Sequence, residues 1–179
     1  MLTLFLILVS HSLSLANARI HDHDSLLGND SDFIISKICS EILDDNRNCT
    51  IILRTDPGVL RAKTFYEFSK AVLKLALKKG IEGKKYFDEI LKRGSSVGLA
   101  ECGLADYVVA IANLKMALMN LNRDPQSTIH EAKVAANEVK SCEGSLIRTR
   151  LPIPQISTLN HDISLLSDIA VLAITNLFN

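Results

Sequence analysis

An all-α fold, namely an up-down-up-down four-helix bundle preceded by an N-terminal helical hairpin and held by two disulfides, is what this sequence predicts, and three observations predict it. Hydrophobic residues make up 47% of the 179, yet Trp is absent and aromatics reach only 5%, so the core is built from Leu, Ile, Val and Ala, the side chains of packed helices. Apolar positions recur at spacings of three and four through successive segments. The four cysteines, Cys39, Cys49, Cys102 and Cys142, fall symmetrically about expected turns. A chain of this length supports one domain with a sizeable core.

The first eighteen residues carry no charged side chain, run apolar from Leu2 to Val9 and end in Ala16-Asn17-Ala18, which is the pattern of a signal peptide over residues 1–18. Ser10, His11, Ser12 and Ser14 break the run too early for it to span a bilayer, and no later segment reaches about 18 uninterrupted apolar residues. The mature chain is expected to begin near Arg19, outside the cell, where cysteines are oxidised. Residues 19–32, with His21-Asp22-His23-Asp24 and Gly28-Asn29-Asp30, are polar and without period, and read as a flexible leader to a domain over 33–179. Asn29 heads a glycosylation sequon, Asn29-Asp30-Ser31; Asn48-Cys49-Thr50 is disfavoured because a disulfide is expected at its middle residue.

From residue 33 to 43, Phe33, Ile34, Ile38, Ile42 and Leu43 mark a helix that ends at the turn Asp44-Asp45-Asn46. A short second helix carries Cys49, Ile52 and Leu53 and stops at Asp56-Pro57-Gly58. The first long helix is expected over 59–92, with Phe65, Phe68, Val72 and Leu75 inward, Glu67, Lys70, Lys74 and Lys78 in water, and a bend or break at Gly80 and Gly83. The second, over 99–121, places Cys102, Ala105, Val109, Ala112, Met116 and Met119 on an inner seam widened by Leu104, Val108, Ile111, Leu114 and Leu118. It is expected to be the most buried helix, with both methionines filling core gaps. The third starts with Asp124 as N-cap and Pro125 at the first helical position, and turns Ile129, Ala132, Ala136, Val139 and Leu146 inward. A linker over 148–157 contains Pro152 and Pro154; the fourth helix then shows Leu159, Ile163, Leu166, Ala170, Ala173 and Leu177. Amphipathic helices joined by short loops are antiparallel neighbours.

Cys102 and Cys142 each lie twenty residues from residue 122, the centre of the turn between the second and third long helices, so both sit roughly 30 Å from that turn and face each other. Cys39 and Cys49 flank residue 44 in the same way. Pairing Cys39 with Cys49 and Cys102 with Cys142 follows.

Twenty Lys plus Arg against twenty Asp plus Glu gives no net charge, which removes the usual warrant for a nucleic-acid or polyanion partner. His21 and His23 lack the further ligands that a metal site needs. His161, Asp162 and Ser164 lie within one helical turn, where a base points away from the hydroxyl, and the adjacent carboxylates Asp88-Glu89 and Asp44-Asp45 do not share a helix face. No Gly-rich phosphate loop, HExxH or CxxC occurs. The expectation is a binding protein, not an enzyme, with no cofactor and no metal.

The ordered set of features resembles the plant invertase and pectin methylesterase inhibitor family over residues 33–178. It comprises the signal peptide and cysteine-bridged hairpin, then Cys49-x3-Leu53-x2-Asp56-Pro57, and Leu99-x2-Cys102 followed by Tyr107 and Ala110. Next come 39 residues between Cys102 and Cys142, with Val134-Ala135-Ala136 before and Glu143-Gly144 after, and the closing run Leu166-Ser167-Asp168-Ile169-Ala170 with Leu172-Ala173-Ile174. Two departures stand out: Ser40 to Asn48 differ from the family's usual hairpin turn, and four residues, not the usual three, separate Cys102 from Tyr107. The resemblance implies the same two disulfides and an apoplastic bundle that binds a carbohydrate-active enzyme one-to-one and blocks its cleft. The absence of the Pro-Lys-Phe tripeptide carried by some invertase inhibitors favours pectin methylesterase over acid invertase as the target. Arg148 and Arg150, in the loop before Pro152, are the candidate partner contacts. The competing reading is a non-inhibitory secreted bundle with a structural or small-ligand-binding role.

Overall fold

A computed structural model describes residues 30–178. The signal peptide, the leader as far as Asn29, and with them His21, His23 and the first sequon's asparagine lie outside the described residues. The helices are α1 (Asp30–Ser40), α2 (Asn46–Arg54), the single turn α3 (Pro57–Leu60), α4 (Phe65–Leu91), α5 (Val97–Ala100), a π-helical segment (Glu101–Asp106), α6 (Tyr107–Asn120), α7 (Pro125–Arg148) and α8 (Pro154–Thr175). α5, the π segment and α6 run on as one rod, Val97–Asn120.

Four rods form a closed square in which α4 packs on α6 and α8, and α7 packs on the same two. Their register is antiparallel throughout. Residues 80, 83 and 87 of α4 meet 111, 107 and 103; residues 79 and 86 pair with 162 and 155 of α8; and Cys102 bonds Cys142 across to α7. The hairpin α1–α2, closed by Cys39–Cys49, packs against α8 and α4 of this square. The predicted fold class and both disulfide pairings are therefore present.

Helix starts follow local chemistry. Asp56, expected only to stop α2, caps α3 by accepting from Gly58 N (2.7 Å) and Val59 N (3.1 Å). Thr64 then caps α4 through Glu67 N (3.2 Å), while the Glu67 carboxylate reaches back to Lys63 N. The first long helix consequently starts at Phe65, not residue 59. Asp124 and Pro125 open α7 as predicted, the Asp124 carboxylate accepting from Ser127 N at 3.0 Å. Pro154, read as part of a linker, instead occupies the first turn of α8, where its missing N–H costs nothing. α1 opens at Asp30, three residues before the predicted domain start, with Asp30 and Asp32 in its first turn complementing the helix dipole.

Gly80 and Gly83 do not break α4, which is continuous from Phe65 to Leu91. They are points of close approach. A Cβ on Gly83 would stand 2.7 Å from Tyr107 Cζ and nearer still to Cε1, and one on Gly80 would stand 3.2 Å from Ile111. The missing side chains let the Tyr107 ring lie against the α4 backbone, edge-on to Phe87 with centroids 5.0 Å apart. Tyr107 is fully buried, and its hydroxyl donates to Asn160 Oδ1 (2.8 Å); Asn160 in turn donates to Glu143 Oε2 (2.8 Å), and Glu143 Oε1 accepts from Ser157 (2.8 Å). This chain of hydrogen bonds ties α6, α8 and α7 together inside a mainly apolar core.

The inner seam expected for the rod 97–120 is corrected. Cys102 is buried as predicted, but Ala105, Val109, Ala112, Met116 and Met119 face outward, and the buried positions beyond it are Gly103, Asp106, Tyr107, Ala110, Leu114 and Ala117. The π segment is the cause: i→i+5 bonding puts one extra residue into a turn, so every later inward position falls one or two residues further along the chain. The methionines are therefore surface residues, and α8, not this rod, is the most enclosed helix. By length and composition the rod is apolar enough to cross a membrane, because it is apolar on both faces; its inner half is locked into the core by Cys102, Tyr107 and Leu114.

Candidate docking surfaces

Arg148 and Arg150 lie at the end of the square that holds the Cys102–Cys142 bridge. Arg148 is the last residue of α7, not a loop residue; its guanidinium donates to Ser145 Oγ (2.7 Å) and stands 3.9 Å from a Glu101 carboxylate oxygen. The helix then closes in a Schellman turn, with Arg150 N bonded to Ile147 O and Leu151 N to Leu146 O, each at 3.0 Å. That turn needs a left-handed residue, and Arg150 supplies it at φ 52. Thr149 packs against Gly98, where a Cβ would come within 2.5 Å of its hydroxyl oxygen, so this loop is seated on the start of α5.

Asp106 lies inside this end. It is 9% exposed, and its Oδ2 has no hydrogen-bond partner among the described residues. Burial, reinforced by Glu138 and Glu101 and opposed by Arg148, pushes its carboxyl up to about 6. A buried acid raised above its unfolded value contributes most favourably below about pH 4, and stability declines as pH rises from there through about 6. Asp106→Asn is expected to gain about 1–3 kcal/mol over the parent near pH 7.5 and almost nothing near pH 3.5, read by denaturant unfolding at both pH values. Equal gains at both would trace the effect to packing and not to the charge. Asp106 also approaches Cys102 and Cys142 at ligand-like distances, but the two sulfurs are bonded to each other and offer no thiolate to a metal.

Running away from this end, the outward face of α6 and the π segment exposes Leu104 (61%), Val108, Val109, Met116 and Met119 (74%). Exposed apolar side chains grouped on one helix face make a candidate contact surface. The Glu101–Arg148 pair places the Arg148 guanidinium beside the start of the π segment, where this face begins.

A concavity of ≈ 610 Å³ opens between the hairpin and the bundle, lined by Asn48, Ile51, Thr55, Lys79, His161 and Asp162. His161 Nε2 lies 2.7 Å from Asp45 Oδ2, and Lys79 bonds Asp162 at 2.8 Å. Both members of the supposed hydrolase trio are thus engaged elsewhere than with Ser164, pinning the hairpin turn and α4 to α8. Asp88 is paired with Lys84 and Glu89 with Lys92, as solvated surface charge.

Neither the αL arginine nor the outer apolar stripe was identified from sequence, the first because an Arg gives no turn signal and the second because its register was displaced. Asn160, alone among Ile156, Leu159 and Ile163, is the polar interruption that could have been read as a core hydrogen-bonding post.

No protein-family profile matches the chain, and no curated protein matches it in sequence. Solved structures do match. A mutant form of a pectin methylesterase inhibitor from Arabidopsis superposes with a TM-score of 0.68 at 19% identity, over 76% of this chain and 95% of that one. A pectin methylesterase inhibitor from Arabidopsis thaliana superposes at 0.62 and 20% identity, over 81% and 96% respectively. The fold of this chain is the fold of those inhibitors.

Proposed function

We propose that this chain is a secreted inhibitor that binds pectin methylesterase one-to-one and blocks its active-site cleft, with acid invertase the second choice of target. The observation that carries the reading is the structural match to pectin methylesterase inhibitors along nearly their whole length. Two disulfides and an apolar, uncharged N-terminal segment support an extracellular, apoplastic setting. A rigid bundle loses little conformational freedom on docking, which suits tight inhibition without chemistry.

Arg150 supports the location of the contact. Holding a non-glycine residue in the left-handed region costs on the order of 1 kcal/mol, and such strain is concentrated at functional positions. Arg150→Gly is therefore expected to raise stability by about 1 kcal/mol while weakening inhibition. The primary experiment titrates purified pectin methylesterase and acid invertase with the oxidised mature chain at mildly acidic pH. Loss of pectin methylesterase activity at equimolar protein is the expected result. Both enzymes running untouched at micromolar protein would sink the proposal and favour the non-inhibitory bundle.

A further inference from the structure

The net charge of zero conceals a segregated surface. On α4, Lys70, Lys74 and Lys78 follow at intervals of four and Lys85 comes seven later, so all four lie on the side of the helix opposite the buried Val72, Ala76, Gly83 and Phe87. All four are exposed. From Lys70 to Lys85 is fifteen residue steps, about 22 Å of helix.

The neighbouring cations are neutralised: Lys79 by Asp162, Lys84 by Asp88 and Lys92 by Glu89. Among the described residues, the four lysines of the row have no carboxylate within ion-pair distance. Two acidic groups share this side of the helix. Glu67, at the head of the row, is occupied by Lys63 N, and the exposed Glu82 lies between Lys78 and Lys85, one turn from each, without forming an ion pair with either among the described residues.

We propose that this row is a docking track for a linear polycarboxylate, specifically a stretch of de-esterified pectin. The shape is a ridge and not a pocket, so it fits an extended polymer lying along the helix. The cations are all lysines, point charges without the guanidinium fork that grips phosphate in two places. Tyr66, with Lys70 above its ring, is the one aromatic beside the row, which gives no stacking platform for nucleic-acid bases. The choice of pectin rests on the function proposed above: a pectin methylesterase hydrolyses methyl esters and leaves one carboxylate per cleaved unit along a neutral chain. The inhibitor would thus gather on polymer that its target has already processed.

The test measures binding of the oxidised mature protein to fully de-esterified polygalacturonate, to fully methyl-esterified pectin and to duplex DNA, beside the variant carrying Lys70→Gln, Lys74→Gln, Lys78→Gln and Lys85→Gln. Polygalacturonate is expected to bind at about 50 mM salt and to weaken about tenfold or more by about 200 mM. The variant is expected to lose at least about tenfold in affinity, with its melting temperature and its inhibition of pectin methylesterase unchanged. Equal binding of variant and parent, equal binding of the esterified polymer, equally tight binding of DNA, or no binding of polygalacturonate by the parent each overturns the track. Binding without inhibition overturns only the target assignment, and inhibition without binding overturns only the track.

Discussion

Replacing Cys102 and Cys142 together by Ser lowers the unfolding free energy by about 4 kcal/mol, whereas replacing Cys39 and Cys49 lowers it by somewhat under 3, about 2.7. The difference comes from the closed loops, which span sequence separations of 40 and 10 residues. Position widens the contrast. All four cysteines are buried, but Cys102–Cys142 joins two rods of the square, so its loss unties the π segment from α7. Cys39–Cys49 closes a hairpin standing outside the square, and its loss frays that hairpin first. For a chain of this size the larger loss corresponds to a fall of roughly 8–16 °C in melting temperature. Thermal unfolding of the two double variants checks this, and equal losses would contradict the loop-length account.

Truncating Tyr107 to Ala is expected to cost about 3–5 kcal/mol, enough to leave a marginal fold at ambient temperature. The ring fills the space that Gly83 leaves against α4, and its hydroxyl satisfies Asn160. Two milder variants separate these roles. Tyr107→Phe keeps the ring and leaves the Asn160 carbonyl oxygen without its donor, for about 1–2 kcal/mol. Gly83→Ala keeps the hydroxyl and forces the ring away from α4, for about 1–3 kcal/mol. Urea denaturation ranks the three; a neutral Gly83→Ala would mean that the approach of α4 to α6 is looser than the structure has it.

Composition and periodicity were sufficient for the four rods, because Leu159, Ile163, Leu166, Ala170 and Ala173 on α8 and Ala132, Ala136 and Val139 on α7 repeat without interruption in regular α-helix. The turn-centred symmetry of the cysteines sufficed for both bridges, since it depends only on rise per residue and antiparallel direction. Periodicity failed where the helix itself changed pitch. Extrapolating from Cys102 with an α repeat turned Met116 and Met119 inward, and the candidate contact face was hidden in the supposed core. The glycines misled for a different reason: propensity prices Gly83 as a helix breaker, while its value lies in a neighbour, Tyr107, that sequence distance does not reveal. The basic row on α4 was visible as a wet face, but summing charges over the whole chain erased it.

The π segment bears on how this lineage could change length. Five residues complete there the turn that four complete in an α-helix, so the four residues between Cys102 and Tyr107 still leave both side chains inside. Removing one of them, such as Ala105, would restore an ordinary α turn with Cys102 and Tyr107 on one face and everything after Tyr107 unmoved. A change of one residue in length is thus absorbed at this point while both neighbours across the bundle keep their places.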